Sequence, residues 1–536
     1  MTDKITNWTR SDDAMVEDAI RRGASRRDLL RMFMMGGIAM TAGGSILARA
    51  GAAVAQTPVT GGHLRAAARA ASTADTLDPA IAANSTDYVR CCAYYNRLAV
   101  MDENSELQME LADAIESDDA KVWTITLKSG VTFHDGKTLT ADDVVYSLMR
   151  HKDPAVGSKV ATLAEQITEV TAENPTTVRI VLARPNADLP TIMTMQHFMI
   201  VADGTTDFSK GNGTGAFVSQ EFQPGVRSIG ARNDNYFKPQ KAYVDSFEYF
   251  GIADDNARIN AVMSGDIHLG ASIRPQFLRM AEGVDGIVLS KTITGNYTNL
   301  NTRLDLSPGD KAGFVEGLKY LINREQMQQS ALRGLAEIGN DQPIPPMSPF
   351  HNDAIKAREF DPERAKSLFE KAGVLGQSIP IVTSDAAQSA NDMAMIVQQA
   401  GAQIGMNFDV QRVPPDGYWS NYWLKAPIHF GNIDARPTPD ILFSLLYASD
   451  APWNESQFKS ERFDAMLLEA RGELDFAKRK EIYGQMQVMI ADEAGTAIPL
   501  YLANVDVHTA KMQGMRTNPV AGQMGYRFAE YVWLTE

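Results

Sequence analysis

Apolar and polar positions alternate from Val122 to Leu127 (Val-Trp-Thr-Ile-Thr-Leu), the period-two pattern of a strand with one buried face. Lys128-Ser129-Gly130 predicts a turn, after which Val131-Thr132-Phe133 is expected to pair back. A helix should start at Thr140: Leu139 precedes the cap, Asp143 stands three residues on, and Val144 is placed to receive Leu139. Its apolar face is Val144, Val145, Leu148 and Met149. Residues 62–67 and 177–182 read as further strands, and 216–222 with 226–231 as a hairpin around Gln223-Pro224-Gly225. Farther on, Asp361-Pro362-Glu363-Arg364 is a cap followed by Pro at the first helical position. Ala365, Leu368, Phe369 and Ala372 follow at helical spacing, with Gly373 as the stop. Residues 474–490 form an amphipathic run with Ile482, Met486 and Met489 on one face, and 498–507 returns to strand. Strands and helices alternate without a short repeat, which predicts an α/β chain of several layers.

The first 55 residues break this pattern. Ser25-Arg26-Arg27-Asp28-Leu29-Leu30-Arg31 leads into an uncharged, Met- and Gly-rich stretch over 32–48, then Arg49 and Ala53-Val54-Ala55. A basic region, an apolar region and a small-residue A-x-A site predict a removable export signal rather than a membrane anchor. The paired arginines resemble the twin-arginine signal, Ser-Arg-Arg-x-Phe-Leu-Lys, with Leu29 in place of Phe and Arg31 in place of Lys. The resemblance implies that Arg26 and Arg27 address the twin-arginine translocase. Cleavage is then expected after Ala55, with Ala53 and Ala55 forming the site and Gln56 beginning a periplasmic mature chain.

Without residues 1–55 the chain has 481 residues, enough for two or three domains. It carries 43 basic and 60 acidic residues, a net charge of −17, which argues against nucleic acid or anionic membrane surfaces as partners. No later apolar run approaches the roughly 18 residues needed to span a bilayer. The two cysteines, Cys91 and Cys92, are neighbours, so they read as reduced, buried small hydrophobes. No H-E-x-x-H, C-x-x-C or G-x-S-x-G is present, so zinc and serine hydrolysis lack their signatures.

Two candidate signals point elsewhere on closer reading. Gly211-Asn212-Gly213-Thr214-Gly215-Ala216 satisfies G-x-G-x-x-A but runs into a hairpin strand instead of a helix. Its glycines are therefore read as a tight turn and no nucleotide site is expected. His134, between Phe133 and Asp135, has no paired nucleophile and is expected to bond locally within its turn.

The segment Phe133-His134-Asp135-Gly136 followed by Leu139-Thr140-Ala141-Asp142-Asp143-Val144 resembles the signature of the family 5 extracellular solute-binding proteins, the peptide- and nickel-type receptors of ABC importers. The likeness continues in order along nearly the whole mature chain. It runs through Leu77-Asp78-Pro79, Gly213-Thr214-Gly215-Ala216-Phe217, Arg232-Asn233-Asp234-Asn235-Tyr236, Ile322-Asn323-Arg324-Glu325, Phe360-Asp361-Pro362-Glu363-Arg364 and Pro439-Asp440. What it implies is an α/β, two-lobed periplasmic binding protein fold, with an extra subdomain in the first lobe and a two-strand hinge. Residues 56–295 are expected to form lobe I, including the subdomain at about 88–212. Residues 296–500 would form lobe II and 501–536 return to lobe I, with the strands crossing near 292–301 and 498–505.

By position in the family pattern, Asn84, Ser85 and Thr86 line one wall of the binding cleft and residues 418–440 the other. Peptide-binding members hold the ligand's amino terminus with an aspartate shortly before the Pro-Asp, where this chain has Asn432, Asp434 and Arg436. Asp434 or Asn432 would take an amine. Arg436 departs from the pattern and suits bidentate contact with a carboxylate or phosphate. Among the aromatics, Tyr418, Trp419, Tyr447 and Trp453, with Asn454, are candidate pocket residues, since such sites are mostly apolar with a few placed polar groups. The reading is a monomeric, cofactor-free receptor, without catalytic or metal residues, that captures a short peptide or amino-acid-like solute bearing an acidic group. Its partners would be that solute, the permease subunits of an ABC importer and, during export, the translocase. A secreted peptide hydrolase and a metal or metallophore receptor of the same fold are the alternatives.

Overall fold

The strand Val122–Leu127 buries Trp123, Ile125 and Leu127 and exposes Thr124 and Thr126, as its alternation requires. It is described, with residues 57–239 and 241–535, by a computed structural model of the chain. The proposed leader residues Arg26, Arg27, Ala53 and Ala55 lie outside the described residues. Antiparallel neighbours Ala112–Glu116 and Thr177–Leu182 flank the strand, and Ile167–Asn174 completes a four-stranded sheet. Residues 131–133 therefore do not pair back on it, because both its edges are taken. Thr132 bridges only Thr138, and the Phe133 N–H donates to the Lys137 carbonyl (2.8 Å) across the His-Asp-Gly turn. The helix Ala141–Met149 starts as read: the Thr140 N–H donates to Asp143 Oδ2 (2.8 Å), and Leu139 and Val144 are both buried. Together these elements enclose a core of side chains between Leu98 and Ala202.

An eleven-stranded mixed sheet carries the rest of the chain. At its centre two long strands, Ile287–Thr302 and Thr496–Thr509, run antiparallel, with Ile287 opposite Thr509 and Asn301 opposite Thr496. One end of this pair joins Ile428–Ile433, which leads to Ser378–Thr383 and Asn407–Arg412. The other end joins Leu269–Gly270, His63–Ala68, Ser246–Gly251 and the hairpin Phe217–Gln223/Arg227–Arg232. The same two strands thus enter both lobes.

In the lobe beyond Thr302, Ser378–Thr383 and Asn407–Arg412 are parallel and joined through the helix Ala390–Gln403. Phe314, Leu318, Phe369, Met393, Val397 and Phe408 pack one side of this lobe. The helices Pro439–Leu446, Glu461–Gly472 and Phe476–Glu493 supply a second core around Phe443, Phe463 and Tyr483. Asp361 caps Pro362–Lys371 through the Arg364 N–H (2.9 Å). In the other lobe, the helix Ser85–Tyr94 packs Val89, Cys91 and Cys92 against Phe217, Phe247 and Tyr249. Met512, Met524 and Phe528 of the C-terminal segment complete that core.

The loop 211–216 is not a free-standing turn. Added Cβ atoms on Gly213 and Gly215 would strike the Tyr94 and Ala93 carbonyls, so glycine is needed there for close backbone approach. His134 bonds across the fold instead of locally: its N–H donates to Gly213 O (2.8 Å), and its Nε2 lies 3.0 Å from Gly215 O. The signature turn is therefore pinned to the glycine loop, and burial lowers the imidazole pKa.

Candidate functional site

The strand Ile428–Ile433 ends in a loop, Asp434 to Thr438, before the helix Pro439–Leu446. Thr438 caps that helix by accepting the Ile441 N–H (3.2 Å), and Pro439 occupies its first position. Asn296, on the long strand beside it, clamps the loop. Its Nδ2 donates to Asp434 Oδ1 (3.2 Å), and its Oδ1 accepts the Ala435 N–H (2.8 Å). Arg436 Nη1 donates to the Asp434 and Ala435 carbonyls of its own loop (3.1 and 3.2 Å), and neither partner is a carboxylate. The guanidinium carbon stands 5.8 Å from the ring centroid of Trp453. Asn432 looks inward: its Oδ1 accepts from Thr298 Oγ1 (3.3 Å) and the Gln388 N–H (3.2 Å).

The other lobe presents the start of the helix Ser85–Tyr94. Asn84 is its cap, accepting from the Thr86 and Asp87 N–H groups (2.9 and 3.0 Å), while Thr86 Oγ1 donates to the Ala70 carbonyl (2.7 Å). Asn84 and Thr86 thus set the helix entry, and Ser85 is partly exposed beside them. Tyr88, one turn on and half-buried, has its ring 5.5 Å from His197 and 5.3 Å from Tyr526. Burial raises the Tyr88 phenol pKa, with Asp87, Cys91 and Asp434 adding and Arg436 opposing. Tyr526 is raised by burial, Tyr88 and Asp434. The charge of Asp434 in one lobe is therefore felt by both tyrosines of the other, and that of Arg436 by Tyr88.

Tyr526 ends an unusual left-handed turn. Gln523, Met524 and Tyr526 have φ of 56°, 56° and 71°, a conformation that costs roughly 1–2 kcal/mol per non-glycine residue. Asp506 offsets the strain by accepting the Gln523 N–H (2.6 Å) and the Ser272 N–H (2.9 Å). Burial pushes its carboxyl pKa up to about 6 despite those bonds.

The remaining candidates separate into two groups. Trp453 joins Asp434 and Arg436, whereas Tyr418, Tyr447 and Asn454 are built into the lobe. Tyr418 donates to the Phe430 carbonyl (2.6 Å), and Tyr447 packs in the core around Phe443. Asn454 spends its amide on the Ala448 and Phe458 carbonyls (3.2 and 2.6 Å) and accepts the Phe458 N–H (3.0 Å). Trp419 is 40% exposed and packs edge-on against Tyr418 and Trp423. Sequence reading missed Tyr88, Tyr526 and Asn296. Tyr88 carried a usable signal, since it lies three residues after Ser85 on one helix face. Tyr526 and Asn296 carried none, because only chain folding brings Asn296 to the loop and Tyr526 to Tyr88.

Among the described residues no group of three His, Cys, Asp or Glu side chains could hold a metal ion, and no helix is long and apolar enough to cross a membrane. Residues 106–455 match the model of the bacterial extracellular solute-binding proteins, family 5. The chain belongs to this family. It is 26% identical over 472 residues to the dipeptide-binding protein of Escherichia coli K12, covering 80% of this chain and 87% of that one. It is 25% identical over 469 residues to the glutathione-binding protein GsiB of the same strain, covering 83% and 91%. Among solved structures, the substrate-binding protein CtaP of Listeria monocytogenes superposes with a TM-score of 0.79 at 23% identity, covering 89% of this chain and all of that one. DppA of Helicobacter pylori in complex with the peptide STSA gives 0.71 at 24% identity, covering 89% and 99%. Members of this family are transport receptors and not enzymes, so the hydrolase alternative falls.

Proposed function

We propose that this receptor captures a short peptide or amino-acid-like solute with an acidic group between its lobes and delivers it to the permease of an ABC importer. The observation that carries the ligand class is Arg436, a guanidinium with only carbonyl partners, set beside Asp434 and the Trp453 ring and close enough for its charge to act on Tyr88. Arg436 would take the acidic group, Asp434 the amine and Trp453 the body of the solute. This supports a zwitterionic or anionic ligand over an apolar one. The long strands Ile287–Thr302 and Thr496–Thr509 are the natural hinge, because among the described residues no other strand pair reaches both halves of the eleven-stranded sheet. On this reading lobe I comprises 56–295 and 501–536 and lobe II 296–500. The subdomain is the layer whose core runs from Leu98 to Ala202. Export by the twin-arginine route with cleavage after Ala55, and a monomeric state in the periplasm, complete the proposal.

The deciding experiment is a thermal-shift and calorimetric screen of residues 56–536 against glutathione, acidic dipeptides, neutral dipeptides and nickel–histidine. A ligand that binds only the folded form raises the melting temperature. Binding of the acidic compounds with neutral dipeptides silent is expected; a preference for neutral dipeptides or for the nickel chelate would replace this ligand class.

A further inference from the structure

Between the strand Thr177–Leu182 and the short helix Leu189–Ile192, the chain reaches across to the lobe that carries Arg436. The Ala187 N–H donates to the Arg471 carbonyl (2.8 Å), and an added Cβ on Gly472 would lie 3.4 Å from Pro185 Cβ. Asp188 follows, its side chain almost fully buried, with Oδ1 3.0 Å from Arg479 Nη1 on the helix Phe476–Glu493. A second carboxylate stands close by. Asp440, in the first turn of Pro439–Leu446, accepts from Arg471 Nε (2.9 Å), and Arg471 Nη2 donates to Ser444 Oγ (2.8 Å). Ile441, the next residue, packs on the core beneath the four-stranded sheet. Burial raises both carboxyls, Asp188 adding to the rise at Asp440, while Arg479 and Arg471 oppose it. Tyr483 and Thr438 are the other polar groups facing the pair.

Two buried carboxylates, one from each side of the contact, are therefore each set against an arginine of the lobe that carries Arg436, Asp188 against Arg479 and Asp440 against Arg471. We propose that Asp188 and Arg479 form a latch that holds the lobes closed before any solute is bound. The inference rests on reading the two long strands as the hinge. Thr438 links the latch to the cleft, since it caps the helix that carries Asp440 and lies two residues beyond Arg436. Removing one member of a buried ion pair leaves an uncompensated charge, whereas removing both is close to neutral. The latch is therefore recognised by its pattern of rescue.

The test uses residues 56–536 with spin labels on cysteines placed at the exposed positions Asp118 and Glu469; the native Cys91 and Cys92 are buried. Distance distributions measured by pulsed electron resonance, without solute, should show a short, closed population in the unmodified background. Arg479→Gln should lower the closed-to-open ratio by about tenfold or more. Adding Asp188→Asn to Arg479→Gln should return much of the closed population. A background already fully open, an unchanged distribution in Arg479→Gln, or no return in the double variant would each overturn the latch. Should Arg479→Gln fail to fold, Asp188→Asn alone decides: a smaller shift toward the open form is expected, and no shift refutes it. Because no solute enters the measurement, its outcome is separate from the binding screen that decides the ligand class.

Discussion

Trp423 donates its indole N–H to Glu455 Oε1 at 2.6 Å inside the lobe that carries Arg436, and its ring lies 5.6 Å from that of Trp453. Glu455 Oε2 accepts from Asn299 Nδ2 (2.6 Å) on the long strand, so one buried carboxylate ties the strand to the aromatic wall. A Cβ on Gly431 would strike Glu455 Oε1, which explains the glycine within that strand. Among the described residues no cation pairs with it, and burial pushes the carboxyl pKa up to about 7, the Trp423, Asn299 and Asn301 hydrogen bonds only partly opposing it.

An acid whose folded-state pKa lies above its unfolded value stabilises the fold at low pH, and that stability is lost as pH rises through the folded value. Glu455 should therefore contribute stability below about pH 4.5 that fades by about pH 7. Glu455→Gln removes the titration. The difference in melting temperature between the parent and this variant should move in favour of the variant between pH 5 and pH 8. A pH-independent difference in calorimetric scans would show that Glu455 does not titrate in this range.

Arg436→Ala is expected to weaken binding of an acidic solute by more than about tenfold, the usual scale of a lost charge-assisted contact. The melting temperature should barely change, because the guanidinium bonds only to carbonyls of its own loop. Arg436→Lys should recover part of the affinity, since the charge returns without the planar fork. Titration calorimetry reads all three proteins, and equal affinities would remove Arg436 from the site.

Tyr88→Ala should lower affinity several-fold at little cost to stability, since the ring is half-buried, packs on His197 and Tyr526, and feels the charges of Asp434 and Arg436. Tyr526→Ala is expected to act alike on binding. It should also stabilise nothing, because alanine inherits the same left-handed backbone. Equal affinity of both variants and the parent would place the tyrosines outside the contact.

Gly215→Ala would press a methyl group into the Ala93 carbonyl and the Tyr94 backbone. A loss of about 2–4 kcal/mol, read by denaturant unfolding, is the expected scale for overpacking where rigid backbone cannot yield. Gly136→Ala meets no atom within 4 Å and should cost only the strain of its positive φ, about 1 kcal/mol. Similar losses at the two positions would contradict the close-approach explanation.

Local elements were legible because their determinants are local. The alternation of Val122–Leu127, the Thr140/Asp143 box and the Asp361-Pro362 start act over a few residues, and each appears where its pattern lies. Val131-Thr132-Phe133 misled for the same reason. Its composition favours a strand, but which strand it pairs with depends on edges already occupied by residues 15 to 50 positions away. The site divides likewise. Asp434 and Arg436 share a loop visible in the sequence, with Trp453 beyond the next helix, while Asn454 has the same polar look yet is consumed by the Ala448 and Phe458 backbone.

The amino-acid sequence by itself determined the family, the alternation of elements and the unusual charge at Arg436, since side-chain chemistry and spacing are written in the chain. Tertiary structure alone decided that Asn296 clamps the Asp434 loop, that Tyr88 packs on Tyr526, and that Asp188 meets Arg479 across 291 positions. Those contacts depend on how two lobes pack around a shared pair of strands, a long-range geometry that no local pattern encodes.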